Sequence, residues 1–252
     1  MNNNLVSIIT PLYNNENFLN DCITSVINQT YKSWEMLIVD DKSTDNSYKL
    51  ALNFSELDSR IKVYQTEANS GAGLARNLAI EKSNGKYIAF LDSDDIWHHD
   101  KLKIHIKEMI ENNASFSHTS YGYLTESGVR LKKTLKVSSN WIGYYDLLKK
   151  TEISCLTAIY DAHKLGKVYM PDIRRKQDYG LWLSILRKGV KSYPVNQTLA
   201  WYRQVSGSAT SKKHKLILKH YKFLRQNQGL NFFKSIYYTF WWGINGIKRY
   251  YF

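Results

Sequence analysis

Residues 86–97 read KYIAFLDSDDIW, a mostly apolar run that leads directly into three acids within four positions. Lys86–Leu91 reads as a buried strand. Asp92, Asp94 and Asp95 crowd the turn behind it, where like charges repel. A second segment repeats the pattern. Trp34–Val39 (WEMLIV) is another apolar run, and it ends on Asp40-Asp41-Lys42-Ser43-Thr44-Asp45. Strands that hand over to short carboxylates are expected at the ligand edge of a parallel α/β sheet.

The flanking sequence supplies the rest of that sheet. Val6–Thr10 (VSIIT) reads as a buried strand ended by Pro11. Leu19, Ile23, Val26 and Ile27 recur at helical spacing, with Asn17 or Asn20 available as a cap. Ser47–Phe54 reads as a helix, Ile61–Gln65 as a strand, Gly71–Ser83 as a helix entered through a glycine-rich turn, and Asp100–Asn112 as a helix. Strand and helix alternating in this way predict a mostly parallel sheet with helices on both faces. Asp40-Asp41 and Asp92–Asp95 then converge on one crevice. Beyond residue 112 the pattern is less regular. Ser115–Leu124 and Gly128–Val137 suit a hairpin, Ser154–Tyr160 a strand, and Gln177–Lys188 a helix.

The chemistry of the crevice follows from its residue types. Hard carboxylate oxygens suit Mn²⁺ or Mg²⁺, and Mg²⁺ commonly takes one or two carboxylates together with substrate phosphates. A cation bridging these acids to a diphosphate would relieve their repulsion. The same acids also suit helix N-caps and turns, and the spacing alone leaves both readings open. Asp40-Asp41 can accept hydrogen bonds from a base or ribose, or serve a turn capped by Ser43 or Asp45. In Asn69–Asn77 (NSGAGLARN) the glycines permit close backbone approach, and Arg76 can reach a phosphate. That glycine pattern matches neither the P-loop nor the dinucleotide fingerprint.

Together these segments resemble the nucleotide-sugar domain of family 2 glycosyltransferases, which have the GT-A fold. The resemblance is carried by VSIITPLYNNENFL (6–19), SVINQTYKSWEMLIVDDKSTDNS (25–47), NSGAGLARNLAI (69–80) and GKYIAFLDSDDIW (85–97). It implies that Asp92-Ser93-Asp94 is the DXD motif, with Asp94 and Asp92 as ligands of Mn²⁺ or Mg²⁺. It implies that Thr10, Pro11, Leu12, Tyr13 and Asp41 hold the uridine, and that Glu16, Gly71, Arg76 and Ser93 help with ribose or diphosphate. The segment Lys176–Leu183 (KQDYGLWL) is similar to the one that carries the family's catalytic base. Asp178 keeps the base position, while Gln177 replaces the usual first acid. Trp201–Ser208 (WYRQVSGS) resembles a YR-x-x-x-x-S segment, which would bring Arg203 to the diphosphate. The expected organisation is a nucleotide-sugar subdomain (1–112), an acceptor subdomain with the base (113–210), and a helical tail (211–252). The expected activity is inverting transfer of a sugar from a nucleotide-sugar, by family habit a UDP-sugar, to a hydroxyl of a glycan or lipid-linked glycan in surface-polysaccharide synthesis.

Composition sets the outer bounds. The 252 residues, 43% of them hydrophobic, suit a folded chain with a real core. Net charge is +13, and all of the excess lies late. Residues 1–178 hold 22 acids and 22 Lys or Arg; residues 179–252 hold 13 Lys or Arg and no acid. Cys22 and Cys155 read as buried free thiols, which favours a reducing compartment. The start, MNNNLVSIITPLYNN, lacks signal-peptide character, and no apolar window is long enough to span a bilayer. In the tail, Phe232, Phe233, Ile236, Tyr237, Phe240, Trp241 and Ile244 form one helical stripe. Aromatics with lysines suit the cytoplasmic face of an anionic membrane; packing on the main domain or on a second subunit is the other reading. A tail of this kind does not form a groove for bases, so no nucleic-acid partner is expected. A nucleic-acid module and a non-catalytic nucleotide-binding fold are the rival functions, and an oligomer is compatible with the sequence. The seven histidines show no metal-ligand spacing with cysteine and read as surface or packing residues.

Overall fold

A computed structural model describes residues 4–205 and 213–251, with side chains described over 4–205 and 216–247. The Ser206-Gly207-Ser208 end of the YR-x-x-x-x-S segment, and residues 211, 212 and 252 of the tail, lie outside the described residues. Along the chain, β1 (Val6–Leu12), α1 (Glu16–Ile27), β2 (Trp34–Asp40), α2 (Ser47–Leu57), β3 (Ile61–Gln65), α3 (Ala72–Lys82) and β4 (Tyr87–Phe90) alternate. Then come β5 (Ile96–Trp97), α4 (Lys101–Glu111), β6 (Phe116–Leu124), β7 (Arg130–Leu135) and α5 (Tyr144–Leu148). A 3₁₀ turn at Cys155–Thr157 precedes β8 (Ile159–Asp161) and α6 (Ala162–Leu165). The last elements are α7 (Gln177–Leu186), β9 (Ser192–Arg203), α8 (Lys213–Gln226) and α9 (Phe232–Tyr251).

One sheet runs in the order β3-β2-β1-β4-β8-β6-β9-β5, with β7 on β6. Its first four strands are parallel. The order turns back between β1 and β4, and this switch point opens the crevice at the strands' carboxyl ends. The remainder is mixed: β8 is antiparallel to both β4 and β6, and β9 is parallel to β6 but antiparallel to β5. The sheet therefore continues across residue 112 without a break.

Alternation along each strand explains the two layers. Val6, Ile8 and Leu12 of β1, with Trp34, Met36 and Ile38 of β2, pack against Leu19, Cys22, Ile23 and Val26 of α1 and against α4. Ile9, Leu37, Val39 and Phe90 point the other way, onto Ala75 and Ala79 of α3 and onto α7. A strand buried on both faces reads as a continuous apolar run, which is why β1 and β2 are conspicuous in the sequence. Pro11 is tolerated inside a central strand because the pairing of β1 with β4 stops at Ile9–Phe90, so its missing N–H has no partner to lose.

Several expected boundaries move. α1 begins at Glu16 behind Asn15, not at Asn17 or Asn20, because the Asn15 carbonyl already accepts from Phe18 and Leu19. The stretch 154–160 is a 3₁₀ turn followed by a short strand. The sequence carried no expectation of β9. Its polar Asn196 and Gln197 lie where the pairing with β6 shifts register, which breaks the apolar alternation. In the tail, α8 buries Phe223 and Leu224 in the core shared with α7. α9 turns its stripe outward, with Phe233 79% and Phe240 61% exposed. Both cysteines are free and buried.

Candidate active site

The carboxyl ends of β1, β2 and β4 surround a cleft of about 200 Å³ lined by Pro11, Leu12, Tyr13, Asp41, Ala72, Arg76, Asp92, Ser93 and Asp94. Eight of these nine were expected from the sequence; Ala72, at the start of α3, was not. The loops that form the cleft are clamped to each other. Asn14 accepts from the Thr44 N–H at 2.7 Å, Asn15 donates its backbone N–H to Ser47 Oγ at 2.7 Å, and the Glu16 N–H donates to Asp45. Two polar loops about 30 residues apart in sequence are thus one structural unit.

The three acids of the opening segment face three ways. Asp92 accepts from Arg76 at 2.5 Å. Asp95 turns into the protein and accepts the Arg203 N–H at 2.8 Å; burial, and then the charges of Asp94 and Asp92, push its carboxyl well above the usual range. Asp94 lines the cleft. Burial and the neighbouring Asp92 charge push its carboxyl up to about 6. An acid held at such a disadvantage is stabilised by an arriving cation. This donor set fits a divalent metal. Two hard carboxylates, from Asp94 and Asp92, stand beside a cleft open to phosphate, and Ser93 is held by Asn15 Nδ2 at 2.7 Å.

Arg76 is buried on α3, and the adjacent Asp92 keeps it firmly cationic despite desolvation. Its Nε has no hydrogen-bond partner, so donor capacity remains for an anion. Asp41 lines the cleft, but its oxygens already hold the glycine turn: Oδ1 accepts from Ser70 N (2.8 Å) and Thr66 Oγ1 (3.0 Å), and Oδ2 accepts from Gly71 N (2.7 Å). Gly71, at φ 89°, adopts the left-handed backbone that this turn requires. Asp178 sits half-buried in the first turn of α7. Burial raises its carboxyl, and Arg76 opposes that shift. The base candidate and the cleft arginine are therefore electrostatic neighbours. Gln177 packs over Gly73 of α3, where a Cβ would meet its Nε2 at 2.7 Å.

Three expected ligands are placed elsewhere. Thr10 is buried within β1, under the cleft and not in a loop. Glu16 accepts from the N–H and side chain of Asn46, both at 2.9 Å, and so braces the loop pair. Arg203 is not presented to the cleft. It is 2% exposed and donates to Asp94 O (2.7 Å), Glu126 O (3.0 Å) and Asp21 Oδ2 (2.9 Å). It staples the acid loop from behind. The pairing of Ile96 with Trp201 brings this about, and no motif in the sequence signals that pairing. Among the described residues, His98, His99 and Asp100 bring ligating atoms within 4.8 Å of one another, but none of them lines the cleft.

An acid–arginine cleft at the switch point of such a sheet defines a GT-A glycosyltransferase frame. The chain belongs to glycosyl transferase family 2, which it matches over residues 7–164. It is 40% identical over 245 residues to the putative teichuronic acid biosynthesis glycosyltransferase TuaG of Bacillus subtilis, covering 97% of each chain. It is 38% identical over 250 residues to the UDP-Glc:alpha-D-GlcNAc-diphosphoundecaprenol beta-1,3-glucosyltransferase WfgD of Escherichia coli, covering 99% of this chain and 96% of that one. Its fold matches S. aureus TarS 1-349, solved in complex with UDP-GlcNAc, at a TM-score of 0.68 and 20% identity, over 86% of this chain and 65% of that one. Among the described residues, no helix is long and apolar enough to cross a membrane.

Proposed function

We propose that this glycosyltransferase moves a sugar from a UDP-sugar to a hydroxyl of a lipid-diphosphate-linked glycan, by single displacement with inversion, in the synthesis of a surface polysaccharide. One observation carries the reading: Asp92, Asp94 and Arg76 meet at one cleft, and Asp178 lies near enough for the Arg76 charge to reach it. The diphosphoundecaprenol-linked acceptor of WfgD supports the acceptor class, and the teichuronic acid role of TuaG supports the surface polysaccharide.

The residues divide the work. The loop end of β1, with Asp41, receives the nucleoside. Arg76 offsets phosphate charge from within a poorly hydrated wall, where such an interaction is stronger than in water. Asp94 and Asp92 would hold Mn²⁺ or Mg²⁺, which supplies charge neutralisation on the departing diphosphate. Asp178 accepts the proton of the acceptor hydroxyl; burial raises its affinity for that proton, and the Arg76 charge opposes the rise. The outward aromatic stripe of α9, together with a tail that has nine Lys or Arg and no acid in 211–252, supports peripheral attachment to an anionic cytoplasmic leaflet. Asp178→Asn tests the base. Turnover is expected to fall by about 10²–10⁴ while UDP still binds; turnover at the wild-type rate would reject the assignment.

A further inference from the structure

A second cleft, of about 410 Å³, lies between the end of β7, residues 150–152 and α9, with Lys136, Lys150, Glu152, Trp242 and Asn245 among its walls. It adjoins one of about 390 Å³ that shares Lys150 and Asn245 and adds Lys149 and Asp146. Two hydrogen bonds hold α9 in place over it: Trp242 Nε1 donates to Thr151 Oγ1 at 2.7 Å, and Asn245 Nδ2 donates to Lys149 O at 2.9 Å.

The charge in this cleft is not balanced. Glu152 is committed to the Ser138 N–H and to Lys150, and Asp146 accepts the Gly143 N–H at 3.0 Å. Lys136 and Lys149 pair with no carboxylate among the described residues. Lys136 in the first cleft and Lys149 in the adjoining one, the latter 6.0 Å from the Tyr237 ring, leave three lysines facing two acids across the pair of clefts, a positive surplus beside an aromatic wall that suits an anionic group attached to an apolar chain.

The position of the cleft also matters. Trp242 forms part of its wall, and the same ring stacks on His220 at 4.2 Å and lies 4.5 Å from the Lys176 ammonium. Lys176 directly precedes α7 and stands two residues before Asp178, in a left-handed conformation at φ 61°. One side of the helix wall thus touches the base's own segment. The other side of α9 carries the exposed stripe of Phe233 and Phe240. The cleft thus lies between the exposed stripe of α9 and the segment that carries Asp178, through the shared Trp242.

We propose that these two adjoining clefts together bind the diphosphate of the lipid-linked acceptor, with Lys136 of the first and Lys149 of the second as cationic ligands. The proposal rests on reading the acceptor as a lipid diphosphate. The test uses the full chain saturated with UDP and Mn²⁺, so that the donor cleft is filled, and titrates farnesyl diphosphate by calorimetry. Farnesyl diphosphate is expected to bind, and the Lys136→Ser/Lys149→Ser double variant is expected to bind it about tenfold more weakly or worse, with UDP uptake as the folding control. Inorganic pyrophosphate is expected to compete only at much higher concentration. Equal affinity in the double variant, no binding by the UDP-loaded wild type, or pyrophosphate competing at equal concentration would each overturn the proposal. Failure of the chain to bind UDP with Mn²⁺ would instead strike the donor reading, and that outcome is read separately.

Discussion

Replacing Arg203 with methionine distinguishes a staple from a phosphate ligand. The side chain is 2% exposed, and its guanidinium makes three hydrogen bonds, to Asp94 O, Glu126 O and Asp21 Oδ2. It also lies 4.9 Å from the Phe18 ring. Methionine keeps much of the apolar contact and removes all three bonds. The Asp21 partner is 54% exposed, so that pair contributes little beyond the roughly 0–1 kcal/mol of a surface ion pair. The Asp94 carbonyl is the larger loss, since a poorly hydrated acceptor left without a donor costs about 1–3 kcal/mol, whereas Glu126 is exposed and water can replace the donor to its carbonyl. The expected destabilisation is about 1–4 kcal/mol. For a chain of this size that lowers Tm by roughly 2–16 °C. Thermal unfolding with and without UDP and Mn²⁺ is the assay. A large fall in Tm of the ligand-free protein is expected, with donor affinity reduced because Asp94 loses its support. A ligand-free Tm equal to wild type, with donor affinity alone reduced, would refute the staple and restore a direct phosphate contact.

Two further outcomes are expected. Lys101 is fully buried, with His105 Nδ1, the Thr157 carbonyl and the Trp97 ring around its amine, and desolvation draws it down to about 7. Its folded value lies below its unfolded one, so stability should rise as pH climbs from about 7 towards 10, by at most about 1.4 kcal/mol per pH unit; Lys176, drawn down to about 8, adds with the same sign. Lys101→Met should flatten this slope in denaturant unfolding, and an unchanged slope would show that the amine is not desolvated. Phe233→Ser with Phe240→Ser should reduce co-sedimentation with anionic liposomes by about tenfold or more, at roughly 1.5–3 kcal/mol per buried aromatic, and equal sedimentation would reject the membrane face.

The sequence shows some parts of this molecule far better than others, for physical reasons. β1, β2 and β4 are buried on both faces, so their apolar runs stand out, and the acids behind them fall at the switch point whatever the rest of the chain does. Asp41, Arg76, Asp92 and Asp94 could be read from those rules. Arg203 could not. Its neighbours Asp21, Asp94 and Glu126 are brought to it by the pairing of β9 with β5 and β6, a contact between distant segments that leaves no local pattern. Asn15 and Glu16 were similarly opaque, because a polar loop that clamps another polar loop looks the same in sequence as one that binds a ligand. The tail stripe was visible from its spacing, but only the packing of Phe223, Leu224 and Trp242 shows which side of each helix is spent on the body and which remains free.

The most direct measurement is a crystal of the full chain grown with UDP and Mn²⁺, with the metal located by its anomalous signal. The account predicts a peak bonded to Asp94, with the diphosphate beside Arg76 and the sugar-bearing end directed towards Asp178. Manganese and nucleotide bound elsewhere, or Asp94 turned away from the metal, would contradict it.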